Sequence, residues 1–116
     1  MKIAIIGSRN ITVEHLERYL PTQADEIVSG GARGIDSCAK KYAEQNGLKI
    51  TEFLPEYQRY GRGAPLKRND QIIAYADMVV AFWDGSSKGT KYVIERCRRI
   101  GKGVIVYEVR GGVVQE

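Results

Sequence analysis

The sequence predicts an α/β domain of Rossmann type: a doubly wound, parallel, five-stranded sheet with helices on both faces. Three observations predict it. Short apolar runs alternate with segments of helical period along the whole chain. The runs are continuously apolar, as strands buried on both faces are. Most of them end in glycine or proline, where a strand gives way to a turn.

Residues 2–6 (KIAII) form the first strand and stop at Gly7. Thr12 is placed to cap a helix in which Val13, Leu16 and Leu20 share a face and Glu14 precedes Arg18 by four residues, with Pro21 closing it. Glu26 to Ser29 is the second strand; Gly30-Gly31 follows, then a helix with Ile35, Ala39, Tyr42 and Ala43 on one side and Gly47 as its stop. The third strand spans Leu48 to Leu54, and Pro55 to Ala64 reads as a loop of about ten residues, long for such a unit. Pro65 suits the first position of a helix running to Tyr75. Met78 to Phe82 is the fourth strand, about Gly89 to Ile100 the last helix, and Gly103 to Val109 the fifth strand. Right-handed crossovers then give the order 3-2-1-4-5, with 2-1-3-4-5 as the alternative. One domain over residues 1–109 is expected, with 110–116 as a loosely held tail.

Composition narrows the function. With 43% hydrophobic and 28% charged residues the chain is that of an ordinary globular protein, and no apolar stretch approaches the ~20 residues of a transmembrane helix. A strand begins at once without an export signal, so the expectation is a cytoplasmic protein with no membrane partner. Cys38 and Cys97 lack metal or redox spacing and read as small hydrophobes; the single histidine, His15, reads as a surface residue. No metal site and no cofactor is predicted. A net charge of +4 favours anionic partners.

All strands of such a sheet point the same way, so three distinctive loops share one rim, and ligands bind where the strand order reverses. They are Gly7-Ser8-Arg9 after the first strand, Gly30-Gly31-Ala32-Arg33-Gly34 with Asp36 after the second, and Gly85-Ser86-Ser87-Lys88-Gly89-Thr90 after the fourth. Glycine permits close backbone approach, and the unpaired N–H groups of a helix start favour an anion, phosphate above all. Ser87 and Thr90 add hydroxyls; Arg9, Arg33 and Lys88 add charge. A turn or helix cap is the plain alternative for any one loop. Neither G-x-G-x-x-G nor G-x-x-x-x-G-K-[ST] occurs.

Two further groups bear on the rim. The 55–64 loop interleaves Tyr57 and Tyr60 with Arg59 and Arg62, suited either to stacking a base or to packing on the sheet edge. Lys67, Arg68 and Asn69 open a helix where cations oppose the dipole, which hints at a nearby anion. Arg96, Arg98, Arg99 and Lys102 crowd a helix C-terminus, where positive charge is stabilising without further purpose.

Taken in order, I-A-I-I-G-S-R at 3–9, S-G-G-A-R-G-I-D at 29–36, G-A-P-L-K-R-N at 63–69 and A-D-M-V-V-A-F-W-D-G-S-S-K-G-T at 76–90 resemble the SLOG superfamily, and most closely its YspA-like, cpYpsA-related group. The resemblance implies a Rossmann-like fold and a nucleotide or nucleotide-derived ligand of ADP-ribose type, bound in a sensing or processing module, and it adds Arg68 and Asn69 to the site. More distantly the chain resembles the Lonely Guy phosphoribohydrolases, but the glutamate of their motif corresponds to Val93, with Glu95 two residues on and about 200° round the helix. It also resembles the DNA-processing protein A family, which binds single-stranded DNA, through G-S-R and S-G-x-A-R-G-I-D.

The leading expectation is therefore a phosphate-containing small molecule bound at the rim. A nucleotide-cleaving enzyme using Asp36, Asp84 or Glu95, its catalytic residues otherwise unknown, and a single-stranded nucleic acid binder are the alternatives. The apolar run Val104 to Tyr107, on an expected edge strand, suggests a homodimer.

Overall fold

The structure is a computed structural model describing residues 1–115. Six strands form one sheet in the order β3-β2-β1-β4-β5-β6: β1 Lys2–Gly7, β2 Glu26–Ser29, β3 Lys49–Glu52, β4 Met78–Trp83, β5 Val104–Arg110 and β6 Val113–Val114. The first five are mutually parallel, with Ile3 beside Ile27, Ile5 beside Val80 and Phe82 beside Tyr107. The expected order and the reversal between β1 and β4 are both present.

Alternate residues of the central strands feed two cores, which is why those strands are apolar throughout. Ile3, Ile5, Ile27, Val80 and Phe82 face α1 (Ile35–Gln45) and the β1–β2 connection. Ala4, Ile6, Val28, Val79 and Ala81 face the opposite layer, built from α3 (Ala64–Tyr75) and α4 (Lys88–Ile100). Full burial of each large aliphatic side chain stabilises by about 1.5–3 kcal/mol. The sheet edge is bound to α3 by Glu26, whose carboxylate accepts from Thr51 and from the Tyr75 hydroxyl. Burial drives its pKa up, but these bonds and Lys49 outweigh burial and hold it below the ordinary value.

Three expectations need correction. The segment 12–20 is not a helix: only Leu16–Arg18 makes a 3-10 turn, and His15 takes a left-handed conformation with φ 56°. Nine residues ended by Pro21 fall short of a self-sustaining helix, and Val13, Leu16 and Leu20 reach the core without one. The Tyr19 ring fixes this connection, packing edge-on to Phe82 and Tyr107 at 5.7 and 5.0 Å between centroids. Second, the 55–64 stretch is not open loop but holds a single helical turn, α2 (Tyr57–Tyr60), and a 3-10 turn at Gly61–Gly63. Third, the sheet has six strands where five were expected. Gly111 and Gly112 turn the chain so that β6 pairs antiparallel with Val109 and Arg110, using residues expected to hang loosely.

Gly34, which caps α1, adopts φ 73°, ψ −125°, and a Cβ there would lie 2.5 Å from the Arg9 carbonyl oxygen. Gly34→Ala is expected to cost about 3 kcal/mol from backbone strain and overlap together. Gly47→Ala, at φ 65° but facing open space, should cost about 1 kcal/mol. Urea denaturation of the two variants measures the difference.

Candidate functional site

At the C-terminal ends of β1 and β4, where the chain departs to opposite faces, a cleft of about 380 Å³ opens. Its base is apolar, made by Ile6, Ile72 and Val93. Around it stand Gly7, Ser8, Arg9 and Asn10 from the β1 loop, Gly30, Ala32 and Asp36 from the β2 loop, and Pro65, Leu66, Arg68 and Asn69 from the first turns of α3. Asp84, Ser87, Gly89 and Thr90 close the fourth side.

Arg68 organises this wall. It is 7% exposed, its Nη1 donates to the Gly30 carbonyl at 2.8 Å, and its Nε donates to Asn69 Oδ1 at 2.9 Å. Asp36 approaches Gly30 from the other side, so that a Cβ on Gly30 would fall 2.5 Å from Arg68 Nη1 and 3.0 Å from Asp36 Oδ2. Only glycine leaves both in place. The Asp36 carboxylate accepts the Ala32 N–H at 3.1 Å, and burial raises its pKa against the lowering effects of that N–H, Arg68 and Arg9. Burial likewise lowers the Arg68 pKa, offset in part by Asp36. The two charges do not close to an ion pair, so the guanidinium keeps capacity for an anion.

On the opposite wall Asp84 accepts the N–H groups of Ser86 and Ser87 at 2.9 and 2.8 Å, which depress its pKa. Ser8, 2% exposed, accepts the Asp84 N–H through its hydroxyl and so joins the β1 and β4 loops. Ser87 caps α4 by accepting from the Thr90 N–H, and its carbonyl takes the Trp83 indole N–H at 3.0 Å. Several loop amides are thus engaged within the protein: Gly31 to the Ser29 hydroxyl, Ala32 to Asp36, and Ser86 and Ser87 to Asp84. Side-chain donors of the lining that have no acceptor among the described residues include the second terminal nitrogen of Arg68, the Asn69 amide nitrogen, the Ser8 hydroxyl and the Arg9 guanidinium.

Of the residues named from sequence, Gly7, Ser8, Arg9, Gly30, Asp36, Arg68, Asn69, Ser87, Gly89 and Thr90 line the cleft, whereas Gly31, Arg33, Gly34, Gly85 and Lys88 stand outside its lining. Gly31 packs under Leu54, Gly34 under the Arg9 carbonyl, and Arg33 and Lys88 are solvent-exposed. Glu95 is also outside, paired with Lys91 on the exposed side of α4, while Val93 lies in the lining. Asn10, Pro65 and Leu66 were missed; Asn10 directly follows Gly7-Ser8-Arg9, and extending that loop by one residue would have found it. Tyr57 is exposed, and the Tyr60 ring lies beneath Arg59 and Lys67. Among the described residues no three His, Cys, Asp or Glu side chains gather to hold a metal, and no helix is long and apolar enough to cross a membrane.

The family model of DNA recombination-mediator protein A matches residues 1–49, the stretch that carries β1, β2, α1 and two of the three cleft loops. The Gene 61 protein of Mycobacterium phage D29 is 34% identical over 85 residues, covering 68% of each chain. The chain belongs to the family of that phage protein. No solved structure matches it. The family relation thus covers most of the fold, and the recombination-mediator likeness is confined to its first half.

Because its folded pKa is raised, Asp36 keeps its proton to higher pH when folded than when unfolded. Its contribution is therefore most favourable below the ordinary value of 3.8 and is lost as pH rises through the native value. Asp36→Asn, which can still accept the Ala32 N–H, should become more stable relative to the native protein across that window. Chemical denaturation of both at a series of pH values reads the sign.

Proposed function

We propose that the cleft binds the phosphate end of a nucleotide or nucleotide-derived ligand. One observation carries this reading: a buried arginine with an unfilled donor capacity, Arg68, stands beside Asn69, Ser8 and Arg9 around a hollow of small-ligand size. Buried guanidinium is costly to desolvate, and an anion in the cleft would complete its pairing. The apolar base and the Pro65–Leu66 wall suit the sugar and base of such a ligand. The likeness to YspA-like SLOG proteins, with their expected ADP-ribose-type ligands, supports the same class.

A second reading makes the bound phosphate part of a single-stranded DNA. The match of residues 1–49 to DNA recombination-mediator protein A favours it, and the chemistry at Arg68 would be shared. Under this reading affinity falls steeply with salt, since counterions leave each phosphate that is neutralised.

Calorimetric titration with nucleoside 5′-monophosphates and with a short single strand, at two salt concentrations, separates the two. Either reading expects Arg68→Ala to weaken binding about 10–100-fold, the value of one charge-assisted hydrogen bond. Exposed Arg9→Ala, which leaves the fold untouched, should weaken it several-fold. Binding indifferent to both substitutions would remove the cleft from the account.

A further inference from the structure

A second hollow of about 630 Å³ lies between the β1–β2 connection and the β5–β6 hairpin. Asn10 lines both hollows, so the two are neighbours at the C-terminal edge of the sheet with Asn10 at their border. We propose that they form one continuous site for a ligand with two nucleoside halves bridged by phosphate, the second half occupying the groove beyond Asn10. This rests on the function proposed above and names the ligand more closely.

Size and chemistry both point this way. The first cleft is near the low end of the roughly 300–1,000 Å³ typical of small-molecule sites, enough for one nucleotide, and the joined hollows reach the upper end. At the junction the exposed Arg9 and Asn10 offer a cation and an amide where a bridging phosphate would pass. The groove itself has what a nucleoside needs. Tyr19, Ile11 and Val114 give it an aromatic and aliphatic wall, and Thr12 and Glu14 give it acceptors for ribose hydroxyls or an exocyclic amine. Glu14 and Arg18 bring one charge of each sign to the groove, whereas Arg9 beside Asn10 is a cation, and this places the charged bridge at the junction. The wall depends on two features that sequence reading missed, the non-helical connection and the β6 hairpin. Tyr107 holds them close by donating its hydroxyl to the Tyr19 carbonyl.

The experiment compares a nucleoside 5′-monophosphate with two dinucleotides, one joined by a phosphodiester and one by a pyrophosphate, titrated calorimetrically into the full chain. The readout is the ratio of dinucleotide to mononucleotide affinity on each protein. In the native protein at least one linkage should bind about tenfold more tightly than the mononucleotide, equal to about 1.4 kcal/mol. Thr12→Trp, which fills the groove from an exposed position, should bring that ratio close to one, with circular dichroism confirming the fold. A native ratio near one with the mononucleotide still bound overturns this inference and leaves the function above standing. A gain that survives Thr12→Trp overturns the groove as the second subsite. Failure of every ligand to bind overturns both.

Discussion

The hydrogen bond from Arg68 to the Gly30 carbonyl is the contact on which the site depends. It ties the end of β2, a strand of the sheet, to the start of α3 in the layer packed on one face, and so closes one wall of the cleft that opens where the strand order reverses. Asp36 meets the same glycine from the other side, which makes Gly30 a spacer between a buried cation and a buried acid. Any side chain at this position would force the two apart. The cleft is what this arrangement leaves open.

Burying charge is costly, and the cost explains the protonation behaviour of the site. Asp36 is raised and Arg68 lowered, both chiefly by burial and each partly compensated by the other. Asp84 shows the opposite case: little buried and bound by two backbone amides, it is held ionised. Its oxygens are committed to shaping the turn into α4, and it is therefore better suited to positioning than to passing a proton. Electrostatics thus divides two acids of one cleft into different tasks, although neither the composition nor the spacing of the sequence distinguishes them.

Much of the fold was legible because the strands are buried on both faces and read as unbroken apolar runs. Ile3 to Ile6 and Val79 to Phe82 could hardly be anything but central strands, and from them the strand order and the common rim followed. The β1–β2 connection was misread because Val13, Leu16 and Leu20 have helical spacing, while tertiary burial satisfies the same residues without a helix. Strand β6 was illegible for a different reason: two valines after a Gly-Gly turn gain a partner only once β5 is in place. In the site, the three loops were visible as glycine and hydroxyl clusters. Their amides looked available because the acceptors that occupy some of them, Ser29, Asp36 and Asp84, act through local side-chain bonds that residue type alone does not reveal. Arg68 and Asn69 drew attention first as polar groups at a helix start that opposes cations and then through family resemblance; their burial beside Gly30 was not legible.

The basic end of α4 offers a contrasting destination for an anion. Arg96, Arg98, Arg99 and Lys102 hold more formal charge than the cleft, but Arg98 and Arg99 are exposed at the helix end whose carbonyls they stabilise, and Lys102 is bonded to the Ala76 carbonyl. Nitrogen-15 correlation spectra of the protein titrated with a nucleoside 5′-monophosphate distinguish the two places directly. The account predicts shifts concentrated at the amides of Ser8, Arg9 and Gly89, the Asn69 side-chain amide and the Arg68 Nε–H. Shifts confined to residues 96–102, or an unchanged spectrum at saturating nucleotide, would contradict it.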